Sequence, residues 1–219
     1  MLQKYFQQQK FMFGSTLYLN KTTSRHKTKG IKDLENDNGE LDKFLIRDCK
    51  ICSSLPSNEN IVHGYGNKKP EIFIIIESPS EIDILNKKLL SGPPGKLMDK
   101  ILIAINRTRK KSTYITSLIK YKHKNNLNPL STEVSSCKEH LEQQIQILKP
   151  KMILILGNVL PKFLLKEEKK IDELRGMMHI FKNIPTYVTY HPTSLLKHEK
   201  LKLLVWKDFK IIKSFLDKK

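Results

Sequence analysis

The chain has 219 residues, with 40 lysines and arginines against 22 aspartates and glutamates, a formal charge of +18. That length suits one domain with a real core and a tail, and the charge points to a polyanion such as nucleic acid. Three cysteines (Cys49, Cys52, Cys137) are too few for a secreted disulfide scaffold, and no apolar run reaches the roughly 18 residues of a membrane span. No long apolar stretch follows the first lysine as a secretory leader would require, so a cytoplasmic protein is expected, and a monomer. Only five of the basic residues are arginine (Arg25, Arg47, Arg107, Arg109, Arg175), and Ile and Asn abound. AT-rich coding produces the same mixture, so charge alone does not decide the partner.

Residues 1–32 hold seven basic residues and no acidic one, which fits a transit peptide, a nucleic-acid-binding arm or a poorly ordered extension. Residues 33–42 are acidic and polar and read as a linker. Residues 1–43 are therefore expected to be a basic, disordered extension with its linker, and 44–219 the folded domain.

Within the domain, Ile72 to Ile76 (Ile-Phe-Ile-Ile-Ile) is a continuous apolar run, as expected of a parallel strand buried on both faces. A turn at 91–95 introduces a helix over 96–106, with apolar residues at 97, 98, 101, 102 and 105. A second strand is predicted over 114–119, followed by a basic loop over 120–128. Ser131 caps a helix running to Leu148, which Pro150 closes. Residues 152–156 form a third strand, and a helix passes through Leu160 and Leu164. A short 177–181 segment leads to the fourth strand, 186–190. The last helix runs from about 199 to 216, with Leu203, Leu204, Trp206, Phe209, Ile212 and Phe215 as core candidates. Strands alternating with helices, and the absence of two-residue hairpin turns, predict an α/β fold: a three-layer α/β/α sandwich around a four-stranded parallel sheet.

Three polar residues end three of these strands: Glu77, Ser117 and His191. Pro192 lacks the N–H a ladder needs, so the strand stops at His191. The C-terminal strand ends of an open parallel sheet share one rim, where ligands bind. Each residue also has a structural reading: Glu77 as a helix cap, Ser117 as a satisfied core hydroxyl, His191 as a core histidine.

The order of short motifs resembles the uracil-DNA glycosylase superfamily, and most its iron–sulfur family 4. The chain offers Cys49-x-x-Cys52, then Glu77-Ser78-Pro79-Ser80, then Gly92-Pro93-Pro94-Gly95-Lys96-Leu97-Met98. Tyr114-Ile115-Thr116-Ser117-Leu118-Ile119-Lys120-Tyr121 follows, with Glu133, Cys137, Leu141, Gln143 and Lys149-Pro150 on the later helix. Leu156-Gly157, Leu174-Arg175-Gly176 and His191-Pro192-x-x-Leu195-Leu196-Lys197 complete the set. The likeness covers about residues 44–217. It implies a DNA repair glycosylase that hydrolyses the N-glycosidic bond of uracil or a related deaminated base in DNA. The alternative is a weak or inactive relative that only binds nucleic acid.

The resemblance makes Glu77 and His191 catalytic: His191 donates to the base oxygen, and Glu77 orients water or stabilises charge on the sugar. Ser117 stands where the family's base-reading Asn would be, and Leu90 near its stacking aromatic. Ser117 has one hydroxyl where Asn offers both donor and acceptor, so weaker or broader base selection is expected; the first motif's glycines are also replaced, by Ile76 and Ser80. Leu195 and Leu196 are wedge candidates for the vacated stack, one of them, Leu196 in particular, also reading as core. Lys197, Lys120, Lys122 and Lys124 are candidates for phosphate contact. A [4Fe–4S] cluster is implied on Cys49, Cys52 and Cys137, with Tyr121 in the fourth cysteine's place and His123 or water as other possibilities. A lost cluster with three leftover thiols is the competing reading.

Overall fold

The structure is a computed structural model that describes residues 40–46, 52, 60–122 and 131–218, with side chains from 134 onward in the last stretch. Its centre is the Ile72–Ile76 run, β2, in which all five side chains are buried. On one side β2 pairs in parallel with β3 (Thr113–Ser117), and on the other with β4 (Met152–Leu156). β4 in turn pairs in parallel with β6 (Ile184–Thr189). These four strands are the expected parallel sheet. Burial on both faces explains why β2 and β4 show no alternation of apolar and polar residues.

Two antiparallel edge strands extend it to six, in the order β1-β3-β2-β4-β6-β5. β1 (Tyr65–Gly66) lies against β3, and β5 (Met178–Phe181) against β6. The β5–β6 connection is a two-residue hairpin turn, contrary to the expectation of none. Phe181 pairs with Ile184 across Lys182 and Asn183, whose φ angles of 50° and 62° are both left-handed. Such a turn matches strand twist but usually shows itself by a glycine, which Lys-Asn lacks.

Nine helices occur among the described residues. α1 is Glu40–Ile46, α2 Glu81–Leu85, α3 Gly92–Ala104 and α4 Arg109–Ser112. α5 is Ser131–Leu148, α6 Leu160–Leu164 and α7 Ile171–Leu174, with α8 Pro192–Lys197 and α9 Leu201–Asp217 closing the chain. One sheet face (Ile72, Ile74, Ile76, Ile115) packs on Met98 and Leu102 of α3, Leu195 of α8 and Phe209 and Ile212 of α9. The other (Phe73, Ile75, Tyr114, Ile153) packs on Leu141, Ile145 and Leu148 of α5, Leu160 and Leu164 of α6, and Leu41 of α1. This is the predicted three-layer sandwich.

Some boundaries move. The 91–95 turn is the first turn of α3, because Pro93 and Pro94 need no N–H partner there. α1 begins inside the stretch read as linker, and its Asp42 is fully buried. On α9, Leu203 is exposed; Val205, Phe209, Ile212, Phe215 and Leu216 form the buried stripe.

Candidate active site

The sheet order sets Ser117, Glu77, Gly157 and His191 in sequence along the C-terminal rim, at the ends of β3, β2, β4 and β6. Leu118 and Ile119 continue toward β2 by donating their N–H groups to the carbonyls of Ile76 (2.9 Å) and Glu77 (2.9 Å). Gly157 donates to Thr189 O at 2.9 Å, and a β-carbon on Gly157 would lie 4.0 Å from His191 Cβ.

β6 ends at Thr189, and His191 caps α8 two residues later. The Thr193 N–H lies 3.3 Å from His191 Nδ1, and Thr193 Oγ1 lies 2.8 Å from it. A backbone N–H can only donate, so Nδ1 carries the lone pair and the neutral ring keeps its proton on Nε2. Among the described residues no hydrogen bond is made to Nε2. Burial pushes the imidazole pKa down to about 4, opposed only in part by the Asp83 charge, so the ring is neutral at physiological pH.

Glu77 is half-buried, and its carboxylate bonds no described residue. Burial raises its pKa above the usual carboxylate value. It does not cap the next helix. That role falls to Ser80, whose Oγ accepts from Asp83 N–H (3.2 Å) while Asp83 Oδ2 accepts from Ser80 N–H (2.9 Å). The buried Asp83 also accepts from Ser91 N–H at 2.6 Å through Oδ1, tying the Glu77 loop to the start of α3.

Ser117 and Leu90 lie deeper than expected. Ser117 Oγ is sealed from solvent with no hydrogen-bond partner among the described residues, so it does not read as a satisfied core hydroxyl. Such an orphan normally costs about 1–3 kcal/mol. Leu90 is packed in the core with a left-handed φ of 50°, and its carbonyl accepts from Arg109 Nη1 at 2.8 Å. It does not present a face to a base. Arg109 also bonds Tyr65 OH (2.8 Å), the Gly95 carbonyl and both oxygens of Asp99. Gly95 has to be glycine, since a β-carbon there would fall 1.7 Å from Leu90 O.

The two wedge candidates separate in the opposite sense to the sequence reading. Leu195 is 1 % exposed, in the core, and Leu196 is 46 % exposed. The helical turn of α8 forces this division, because neighbouring helical residues point about 100° apart. Lys197 is exposed beside Leu196 and Lys122 pairs with Glu81 at 2.5 Å, both on the rim side. Lys120 is corrected: its ammonium is buried, 2.9 Å from Asp42 Oδ2 and 2.5 Å from Thr116 Oγ1, and contacts no solvent-borne phosphate. Lys124 and His123 lie outside the described residues.

Cys52 is buried beside Ile46 and Ile61, and Cys137 in the α5 core; both are unbridged by disulfide. Buried reduced thiols suit soft-metal ligation, but Cys49 lies outside the described residues. No group of three or more metal-ligating side chains forms among the described ones. Tyr121 is buried in the α5-side core.

Asp83, Arg109 and Asp208 escaped the sequence reading. Ser80-x-x-Asp83 carries a readable capping-box pattern; the other two show no local signal. Asp208 on α9 is fully buried and accepts from Thr189 Oγ1 (2.6 Å), Tyr187 OH (3.1 Å) and Arg175 Nη2 (2.8 Å). It thereby anchors the strand end that presents His191.

A model of the uracil DNA glycosylase superfamily matches residues 63–210, and the chain belongs to that superfamily. Within it, the chain is similar to the type-4 uracil-DNA glycosylase of Saccharolobus solfataricus, 29% identical over 84% of this chain and 88% of the relative. It is equally similar to those of Sulfurisphaera tokodaii (29%; 81% and 84% covered) and Archaeoglobus fulgidus (29%; 80% and 91%). No helix among the described residues is long and apolar enough to cross a membrane.

Proposed function

We propose that this protein is a monofunctional uracil-DNA glycosylase. The observation that carries this reading is a pair of groups on one rim that bond no other described residue: the Nε2–H of a neutral His191 and the carboxylate of Glu77. Hydrolysis breaks the C1′–N1 bond with both electrons leaving on the base, whose negative charge spreads to the ring oxygens. His191 Nε2–H donates a hydrogen bond to one of those oxygens as charge develops. A neutral imidazole suits a donor that keeps its proton. Glu77 faces the positive charge on the sugar and orients the water that adds to C1′, which then loses its proton to the carboxylate or to solvent.

The base must leave the duplex to reach this rim. Leu196 then fills the vacated stack, and Lys197 and Lys122 contact flanking phosphates. Ser117 reads the base edge. Its support is the orphan hydroxyl at the end of β3, which gains a partner only when a polar group arrives. Because that atom is sealed in the free protein, base entry includes a local opening around it. The reading extends to an iron–sulfur cluster on Cys49, Cys52 and Cys137, supported by the two buried, unbridged thiols. Such a cluster would tie the N-terminal segment to α5 and takes no part in the steps above.

The test is alkali-induced strand cleavage of a uracil-containing oligonucleotide after incubation with the protein. Cleavage at the uracil position is expected. No cleavage with uracil or any other deaminated base, alongside intact DNA binding, would instead select the binding-only reading favoured by the sealed Ser117 and Leu90.

A further inference from the structure

The N-terminal rim of the sheet, opposite the proposed active site, carries a second concentration of charge. Loop 67–71 precedes β2 and α4 precedes β3, and hydrogen bonds bring the two together. Asn67 N–H donates to Thr113 O (2.8 Å), Glu71 N–H to Ser112 O (2.9 Å), and the Asn67 side-chain amide to Lys111 O. Asn67 Oδ1 accepts from Lys69 N–H at 2.9 Å, which fixes the turn. Four lysines, Lys68, Lys69, Lys110 and Lys111, are thereby held on one small surface.

Among the described residues none of the four pairs with a carboxylate, whereas three basic neighbours on the same rim do. Arg107 pairs with Glu71 and Asp217, Lys151 with Glu71, and Lys182 with Glu142. Lys68 Nζ is enclosed by protein and donates to no described residue, an uncompensated state for an ammonium. Lys69, Lys110 and Lys111 are exposed.

We propose that this patch is a second binding surface for the nucleic-acid phosphate backbone, letting one protein molecule hold two DNA segments. It rests on the reading that places DNA at the opposite rim. The five-residue strands β2 and β3 separate the two rims by roughly 16 Å at about 3.3 Å per residue, before either rim's loops are counted. The rims also face opposite ways along the strands, so a straight duplex seated across His191 does not touch Lys110. Charge without base-reading side chains gives contacts indifferent to sequence.

The experiment compares full-length wild type with Lys69→Gln/Lys110→Gln/Lys111→Gln. A control of equal charge loss replaces three exposed lysines elsewhere, Lys100, Lys166 and Lys207, by Gln. An immobilised duplex without uracil is loaded with protein, and capture of a second, fluorescent duplex is read against salt. Wild type and control should capture it. The patch variant should lose capture at moderate salt, with a log–log salt slope lower by about two to three. Its turnover of a short uracil oligonucleotide should match wild type. The proposal is overturned if the patch variant captures as well as wild type, if the control loses capture equally, or if the patch variant alone loses turnover. Because capture uses uracil-free DNA, an inactive wild type would sink the glycosylase reading and leave this result standing.

Discussion

His191 has a structural role and a proposed catalytic one, which substitution can separate. It caps α8 through Nδ1 while Nε2–H bonds no other described residue. Asn is also a good N-cap, so His191→Asn should retain most of the melting temperature while losing the donor to the base. A drop on the order of 10²–10³-fold in excision rate is expected, with DNA affinity nearly unchanged. Lost stability with unchanged activity per folded molecule would make His191 a core histidine. The same burial sets a pH dependence. The folded imidazole has a pKa near 4 against an ordinary value of 6.5, so on acidification the unfolded chain takes up its proton first. The stabilisation is whole above pH 6.5, shrinks between 6.5 and about 4, and is gone below. At about 1.4 kcal/mol per tenfold change in proton affinity, it is on the order of 3 kcal/mol. Urea titrations should show this acid-side loss in wild type and a shallower one in His191→Asn.

At the scale of elements, α8 is a short amphipathic turn pinned from below and exposed above. Leu195 sits among the side chains of α3 and α9, so Leu195→Ala should cost about 2–5 kcal/mol in equilibrium unfolding. Leu196 is on the opposite side, and Leu196→Ala should move stability by about 0.5 kcal/mol or less. In the proposed wedge role, its effect belongs to function. Excision from duplex DNA should slow several-fold, while excision from single strands, which need no wedge, should change little. Equal losses on both substrates would remove the wedge role. The Asp208 cluster completes the support, holding Thr189 two residues upstream of His191.

At the scale of the whole molecule, α1 is fastened to the sandwich by a buried ion pair. The buried Asp42–Lys120 pair joins α1 to the chain leaving β3, and Asp42 also accepts from Gly64 N–H at 2.5 Å. If Cys49, Cys52 and Cys137 hold a cluster, a second and stronger fastening exists between the N-terminal segment and α5. Protein purified without oxygen should then contain iron and acid-labile sulfide with broad visible absorbance. Cys137→Ser should lower both the metal content and the melting temperature. Iron and sulfide near zero in the wild type would leave Cys52 and Cys137 as ordinary buried thiols.

The sequence by itself determined the layers and the rim. Runs such as Ile72–Ile76 and Met152–Leu156 are apolar because both faces are covered, and that pattern is local enough to read directly. His191 and Glu77 were legible because a polar residue closing an apolar strand stands out whatever surrounds it. The edge strands were not, since β1 has two residues and the β5–β6 turn lacks the glycine that would announce it. Only the tertiary structure decided which leucine of α8 faces outward, that Lys120 belongs to Asp42, and that Ser117 and Leu90 are enclosed. Each depends on what packs against the residue from far along the chain: α1 for Lys120, and Arg109 with Gly95 for Leu90. Burial and charge pairing are properties of that meeting, and no spacing within a single segment encodes them.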